Sequence, residues 1–352
     1  MSYRACVFAR TAAVALLSAA VPTVAAAQNL FLTSGSHVAD DATYADGNIY
    51  AGLNSLFLRA DGANNPYVAD LSVVAGADVD NVYAFNTSTT TVSGGIVRGL
   101  RGYDTSTTSI TGGTVTTFEG FQNSVATITG GSVNRAVAFL ESTVNVGAGS
   151  TVRTVTSGDS GTVNITGGDT TDAFAFRTST LNIGGGNVTG NVANFNAATV
   201  NISGGIVRRA DGNGSGVMHI SGGTVESLFG FSSSITRISG GALTKGVLLF
   251  NTTATANFVG AGLTSVYQGY GNSNPYTTFA DFFQVSGTFN GVPKTYDLYI
   301  RNTTGTGNGT PRQFAFASFV VVPESGTFAL VLPVLAIVCV SVARRRWMPN
   351  TR

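Results

Sequence analysis

AATVNISGGIVRRADG (197–212), VMHISGGTVESLFG (217–230) and SITRISGGALTKGVLLF (234–250) are three consecutive copies of one unit. Each reads as a short alternating strand, a Gly-Gly turn, a second short strand, and a third that ends near an aromatic residue. Working outward, the unit recurs about every 18 residues from Val68 to Val266. A fixed period of this size is the signature of a solenoid, in which each repeat is one coil stacked on the next. The expected fold is all-β, a parallel β-helix over residues 68–266. That removes most of the chain from any search for a globular enzyme core.

The columns of the repeat carry the physical reading. An aromatic column runs Phe85, Tyr103, Phe121, Phe139, Phe176, Phe195, Phe231, Phe250, with Gly158 and Asn213 in the two missing places. An aliphatic column runs Val74, Val92, Ile110, Ile128, Val146, Ile165, Ile183, Ile202, Ile220, Ile238. The residue before it is polar from the second coil on, as in Thr91, Asn145, Asn164, Asn182, Asn201 and His219. This is period-2 alternation, apolar inward and polar outward. The second strand sets Val97, Val115, Val133, Val152, Val188, Val207, Val225 and Leu243 inward, with Thr170 breaking the column. About eleven coils at ~4.8 Å per strand would make a rod on the order of 50 Å long. Like residues then stack, so Asn145, Asn164, Asn182 and Asn201 are expected to form an amide ladder. The Gly pairs supply the positive φ of a tight corner. Parallel crossovers favour a right-handed coil; a left-handed β-helix also fits the period, although its hexapeptide pattern is not visible.

The two ends read as addresses. Residues 1–27 have the form of a secretory signal peptide: Arg4 and Arg10, an apolar Thr11–Val21, then Ala25-Ala26-Ala27. Cleavage is expected between Ala27 and Gln28. At the other end, Val322-Pro323-Glu324-Ser325 precedes an apolar run, Phe328–Val342, followed by Arg344, Arg345 and Arg346. The run is at the lower limit for a spanning helix, and the arginines place the end of the chain in the cytoplasm. These three parts in this order resemble the PEP-CTERM sorting signal of bacterial envelope proteins. Its usual form is Val-Pro-Glu-Pro, a short transmembrane helix and a basic cluster. The resemblance implies recognition by an exosortase, a membrane protease that removes the tail and releases or transfers the protein outward. It implies an inner-membrane intermediate, then the cell surface or extracellular space. Pro323 and Glu324 match the motif core, and Ser325 stands where a second proline is usual. The resemblance covers about 30 residues, and its simpler alternative is an ordinary C-terminal membrane anchor.

Composition agrees with export. The two cysteines, Cys6 and Cys339, lie in the terminal segments, so the mature ectodomain would have no disulfide, thiolate metal site or thiol chemistry. The net charge of +1 hides an asymmetry: residues 28–322 hold 13 Lys and Arg against 17 Asp and Glu. Nothing points to nucleic-acid binding. Residues 28–67 are expected to form an N-terminal β cap. Residues 267–321 break the period. Tyr267–Tyr276 reads as a Gly/Asn/Pro-rich loop, and Asn290-Gly291 sits between two alternating runs as a β-hairpin turn. These residues form the expected C-terminal cap and linker, and 322–352 the sorting signal.

Chemistry-bearing residues are sparse. His219 falls in the outward polar column, and His37 has only Asp40 and Asp41 nearby, so no Ser-His-Asp triad assembles. Acids recurring in one column are Asp78 with Asp169, Asp104 with Asp159, and Glu119 with Asp211. The pairs stand three to five coils apart, beyond the roughly 5–10 Å that paired catalytic carboxylates require. Glu141 and Asp159 form the closest diagonal pair. No cofactor, metal or catalytic residue is expected. The chain reads as a structural or adhesive surface protein whose Thr, Asn and Ser faces suit weak multivalent contact with extracellular polysaccharide. The alternative is a polysaccharide-degrading β-helix enzyme, a lyase or hydrolase.

Overall fold

In the computed structural model the described residues are 28–32, 35–39, 53–59, 69–250, 253–273 and 278–301. Ala27, Pro323, Glu324, Arg344, Arg345, Arg346 and the apolar run Phe328–Val342 lie outside them. The described chain is an all-β, parallel β-solenoid of about ten coils with about 18 residues per turn and no helix. It groups into two compact units, one up to Thr171 and one from Asp172.

Each coil holds two strands, not the three that the repeat suggests. A four-residue strand such as Thr89–Val92 leads through the Gly-Gly corner into a seven-residue strand such as Ile96–Gly102. The second and third expected strands are two halves of this longer one. Its burial alternates until Arg98 and Gly99, which both face away from the core, and Leu100 then points inward again. Pairing passes from Val97 to Gly99, so the strand bends at Arg98 without breaking the ladder. The neighbouring strands bend at the same level, as where pairing passes from Val133 to Arg135 against Val115 and Thr117, so the ladder stays in register.

In the first unit the short strands pair in parallel from Gly35–Ala39 through Thr162–Ile165. The long strands do so from Gln28–Leu32 through Thr151–Ser157. The strands of residues 28–73 therefore extend both ladders in the same parallel sense. The aliphatic column is buried as expected from Val92 to Ile165, at 0% exposure. Its first member is Val73, not Val74: Val73 pairs with Val92 and is buried, whereas Val74 is half-buried. That coil is one residue longer, which a fixed step of 18 misplaces. In the second unit Ile183, Ile202, Ile220 and Ile238 continue the column at 0% exposure. Val188, Val207 and Val225 are buried opposite them, while Leu243 in the last coil is half-buried.

The aromatic column stacks at the other corner. In the first unit Phe85, Tyr103, Phe121 and Phe139 lie in a row with ring centroids 4.7, 5.0 and 5.4 Å apart. In the second, Phe176 stacks on Phe195 at 4.8 Å and Phe231 on Phe250 at 4.7 Å. All are half-buried, so they seal the corner from outside. At Gly158, where the column has no ring, the Phe139 ring lies close over the backbone: a Cβ there would be 2.9 Å from Phe139 Cδ1. From Phe85 to Phe231 each aromatic carbonyl accepts the N–H of the residue three later, as in Ser106 N to Tyr103 O at 3.1 Å. The residue after the aromatic has positive φ whatever its type: Asn86, Asp104, Gln122, Leu140, Arg177, Asn196 and Ser232.

Thr170, the break in the valine column, is buried at 1% exposure, and its Oγ1 has no hydrogen-bond partner. Thr170→Val keeps the shape and removes that orphan hydroxyl. It is expected to stabilise the protein by about 1 kcal/mol, read as a rise in thermal midpoint.

Among the described residues, the last strands of the second unit form an antiparallel sheet. Thr278–Phe289 and Val292–Ile300 form the hairpin around Asn290-Gly291. Val292–Ile300 also pairs in parallel with Val247–Leu249. Tyr267–Ser273 is not the loop expected from composition. It belongs to a strand, Ala261–Ser273, that pairs antiparallel with Thr278–Phe289. Cross-strand pairing overrides the turn preference of its glycines and asparagine.

The hairpin also closes the last Gly-Gly corner. In earlier coils the second glycine's carbonyl accepts an N–H of the next coil, as in Thr224 N to Gly205 O at 2.9 Å. Gly241 O instead accepts Tyr296 Oη at 3.0 Å and Lys294 Nζ at 2.5 Å, and Ser221 O accepts Asn290 Nδ2 at 3.1 Å. Burial pushes the Tyr296 phenol up to about 12, whereas an unfolded tyrosine titrates near ~10. Between these values the unfolded chain loses a proton that the native state keeps. The stability is therefore complete below about pH 10 and is lost as pH rises towards about 12. Tyr296→Phe is expected to lower stability by about 1–2 kcal/mol at neutral pH. It is also expected to flatten the alkaline fall, measured as thermal midpoints at about pH 9 and about pH 11.

Candidate functional site

The repeat places polar side chains on the outer faces of both sheets. On the short-strand face of the first unit, Thr143 and Asn145 stand beside Thr162 and Asn164 in register. Asn164 Nδ2 donates to Asn145 Oδ1 at 2.8 Å. In the second unit Asn201 Nδ2 donates to Asn182 Oδ1 at 2.7 Å, with Thr180 and Thr199 alongside. The expected amide ladder is thus present within each unit. Each rung uses one N–H of one amide and one oxygen lone pair of its neighbour. Rung hydrogen bonds hold the amides in one orientation, in a regular array with the threonine side chains.

His219 follows in this column, between Asn201 and Arg237. Burial and then the Arg237 charge lower its pKa, so it stays neutral at physiological pH. His37 lies on the strand Gly35–Ala39 in register with Leu71. Its sequence neighbours Asp40 and Asp41 lie outside the described residues.

The long-strand face of the first unit carries a charged hollow of about 330 Å³, lined by Asp80, Arg98, Arg101, Thr117, Glu119 and Arg135. Arg98 bridges Asp78 at 2.5 Å and Asp80 at 2.8 Å. Glu119 accepts Arg101 Nε at 2.9 Å and Arg135 Nη1 at 3.4 Å. Arg101 also donates to Tyr83 Oη at 2.9 Å, with its guanidinium over the Tyr83 ring. Hydrogen bonding to Asp78 holds the Arg98 guanidinium above its ordinary pKa, and Glu119 does the same for Arg101. The Asp78–Asp80 pair is invisible along the columns of the repeat because it runs along one strand, two residues apart. Asp104 Oδ2 accepts Asn86 N at 3.1 Å, which occupies that acid in a corner hydrogen bond.

In the second unit Asp211 is 8% exposed, and burial raises its pKa against the opposing hydrogen bond from Arg209 Nε at 2.8 Å. Arg209 also covers the Phe229 ring at 4.6 Å. Asp211 is the one carboxylate among the described residues whose pKa is shifted upward. Glu119, its column mate in sequence, lies in the other unit. Among the described residues no group of three His, Cys, Asp or Glu side chains is placed to hold a metal ion. No family model matches this sequence, and no curated protein or solved structure shows significant similarity to it.

Proposed function

We propose that this chain is a structural or adhesive surface protein of the bacterial envelope or extracellular polysaccharide matrix. Its solenoid, right-handed in this reading, is an ectodomain exported by residues 1–27. Its tail is a PEP-CTERM-like signal with a short transmembrane helix, read by an exosortase-type protease at Pro323-Glu324. The observation that carries the adhesive reading is the fixed Thr and Asn array on the short-strand face, Thr143, Asn145, Thr162 and Asn164. Pre-oriented hydroxyls and amides repeated at the strand spacing suit a ligand that is itself a repeating polyol. Individually weak contacts add through multivalency.

The competing reading is a lyase or hydrolase. Against it stands the state of the hollow's carboxylates. Asp78 and Asp80 are held by Arg98, and Glu119 by Arg101 and Arg135, so ion pairs already engage oxygens that a catalytic carboxylate would turn to a substrate. A polysaccharide panel separates the two readings. Retardation of the protein in polysaccharide-containing gels, without release of reducing ends or unsaturated uronates, is the expected result. Chain cleavage by the purified protein would replace this reading with the enzymatic one.

A further inference from the structure

The strand Ala261–Ser273 is the terminal strand of its sheet, with a neighbour on one side only among the described residues. Its sequence, AGLTSVYQGYGNS, contains neither a charge nor a proline. Natural sheet edges are ordinarily protected by lysine, proline, short length or a covering element. Here the edge is 13 residues long, with Val266 at 55% and Tyr267 at 46% exposure. Bulges are present, but they lie between Ala261 and Thr264 and between Tyr267 and Gly269. They leave Thr264–Tyr267 as a regular stretch with its outer backbone groups turned from the sheet. Tyr267 is anchored, its ring 5.0 Å from Phe283 and its hydroxyl donating to Asp281 Oδ1 at 3.2 Å. Val266, on the opposite face, has no comparable cover.

We propose that this edge is a self-association site, at which Ala261–Ser273 pairs antiparallel with the same strand of a second copy. A two-fold axis perpendicular to the sheet places a residue opposite itself, and Val266 is that residue. Ser265 then faces Tyr267 of the copy, and Thr264 faces Gln268. The register opposes no like charges and covers the exposed valine with its own equivalent, a β-branched residue that packs well on a pleated surface. An isologous contact of this kind closes as a dimer and continues the sheet from one molecule into the next. A strand-sized contact buries less than the roughly 1,600 Å² of a standard interface, so the association is weak and concentration-dependent.

Sedimentation equilibrium of the purified protein, with Val266→Asp, Val266→Lys and their equimolar mixture, tests the site. The exposed position leaves folding intact, which matched thermal midpoints verify. The wild type is expected to gain mass with concentration. Each variant alone should dissociate at least tenfold more readily, and the mixture should regain association through opposed charges. Hydrogen exchange over 261–273 should slow with rising concentration. A wild type that is monomeric throughout, variants that associate equally well, or a mixture without recovery would overturn the proposal. So would exchange in this strand that is slow at every concentration, because the edge would then be covered within one chain.

Discussion

Ile183→Asp is expected to cost at least about 4 kcal/mol and to remove cooperative unfolding of the unit that contains it. Ile183 has 0% exposure and sits in register with Ile202, so the substituted carboxylate has no water and no opposite charge within the apolar column. The adjacent Asn182→Asp is the matched control. Its oxygen still accepts Asn201 Nδ2 in the ladder, and the side chain faces outward. Its cost should stay below about 2 kcal/mol. Thermal or denaturant unfolding of the two variants measures the difference, and equal losses would reverse the assignment of inner and outer faces.

Gly222→Ala is expected to be nearly as damaging, for a steric reason. A Cβ on Gly222 would lie 2.1 Å from Ser203 O, a backbone atom of the preceding coil. To relieve the clash the coils must separate, which stretches Ser221 N to Ile202 O at 2.9 Å and Thr224 N to Gly205 O at 2.9 Å. A loss above about 3 kcal/mol is expected. Gly291→Ala isolates the conformational part of such costs. Gly291 has a φ of 76°, and a Cβ there would meet nothing within 4 Å, so alanine should cost only about 1–2 kcal/mol of backbone strain. The two glycines of the corner thus serve different needs. The first gives room for the neighbouring coil, and the second, as in Gly223 with φ of 70°, both gives room and turns the chain. A design that replaced only the second by a residue tolerant of positive φ would still meet Gly204 O at 2.6 Å.

The columns that were legible in the sequence are those where one side-chain property is required at each level. An interior that excludes water accepts Val or Ile at 183, 202 and 220, and a stacked corner accepts Phe or Tyr at 85, 103 and 121. The left-handed corner column was not legible. Its conformation is imposed by the turn on Asn, Asp, Gln, Leu, Arg and Ser alike, so no residue type repeats. The bend in the long strand was hidden for a related reason: Arg98 and Gly99 both face outward, and a polar pair between apolar residues resembles the join of two strands. The capping role of Tyr296 and Lys294 depends on a contact across more than 50 residues of sequence with Gly241, which no local pattern signals. The charged hollow combines partners from successive coils about 18 residues apart, such as Arg101 with Glu119. Column spacing revealed which coils adjoin, but the ion pairs follow from side-chain reach across them.

Export and trimming at both ends underlie the whole functional reading, because a cysteine-free solenoid with a polar face meets extracellular polysaccharide only if it leaves the cell. Intact-mass measurement of the protein recovered from its native cell surface tests this most directly. A chain that begins at Gln28 and ends near Pro323, with Arg344–Arg346 removed, is the expected main species. If Ser325 weakens recognition, a minor uncleaved form accompanies it, and Ser325→Pro reduces that form. A main species that still carries Phe328–Arg352 would make the tail a plain membrane anchor and contradict the sorting mechanism. A main species that retains Met1–Ala27 inside the cell would contradict export itself.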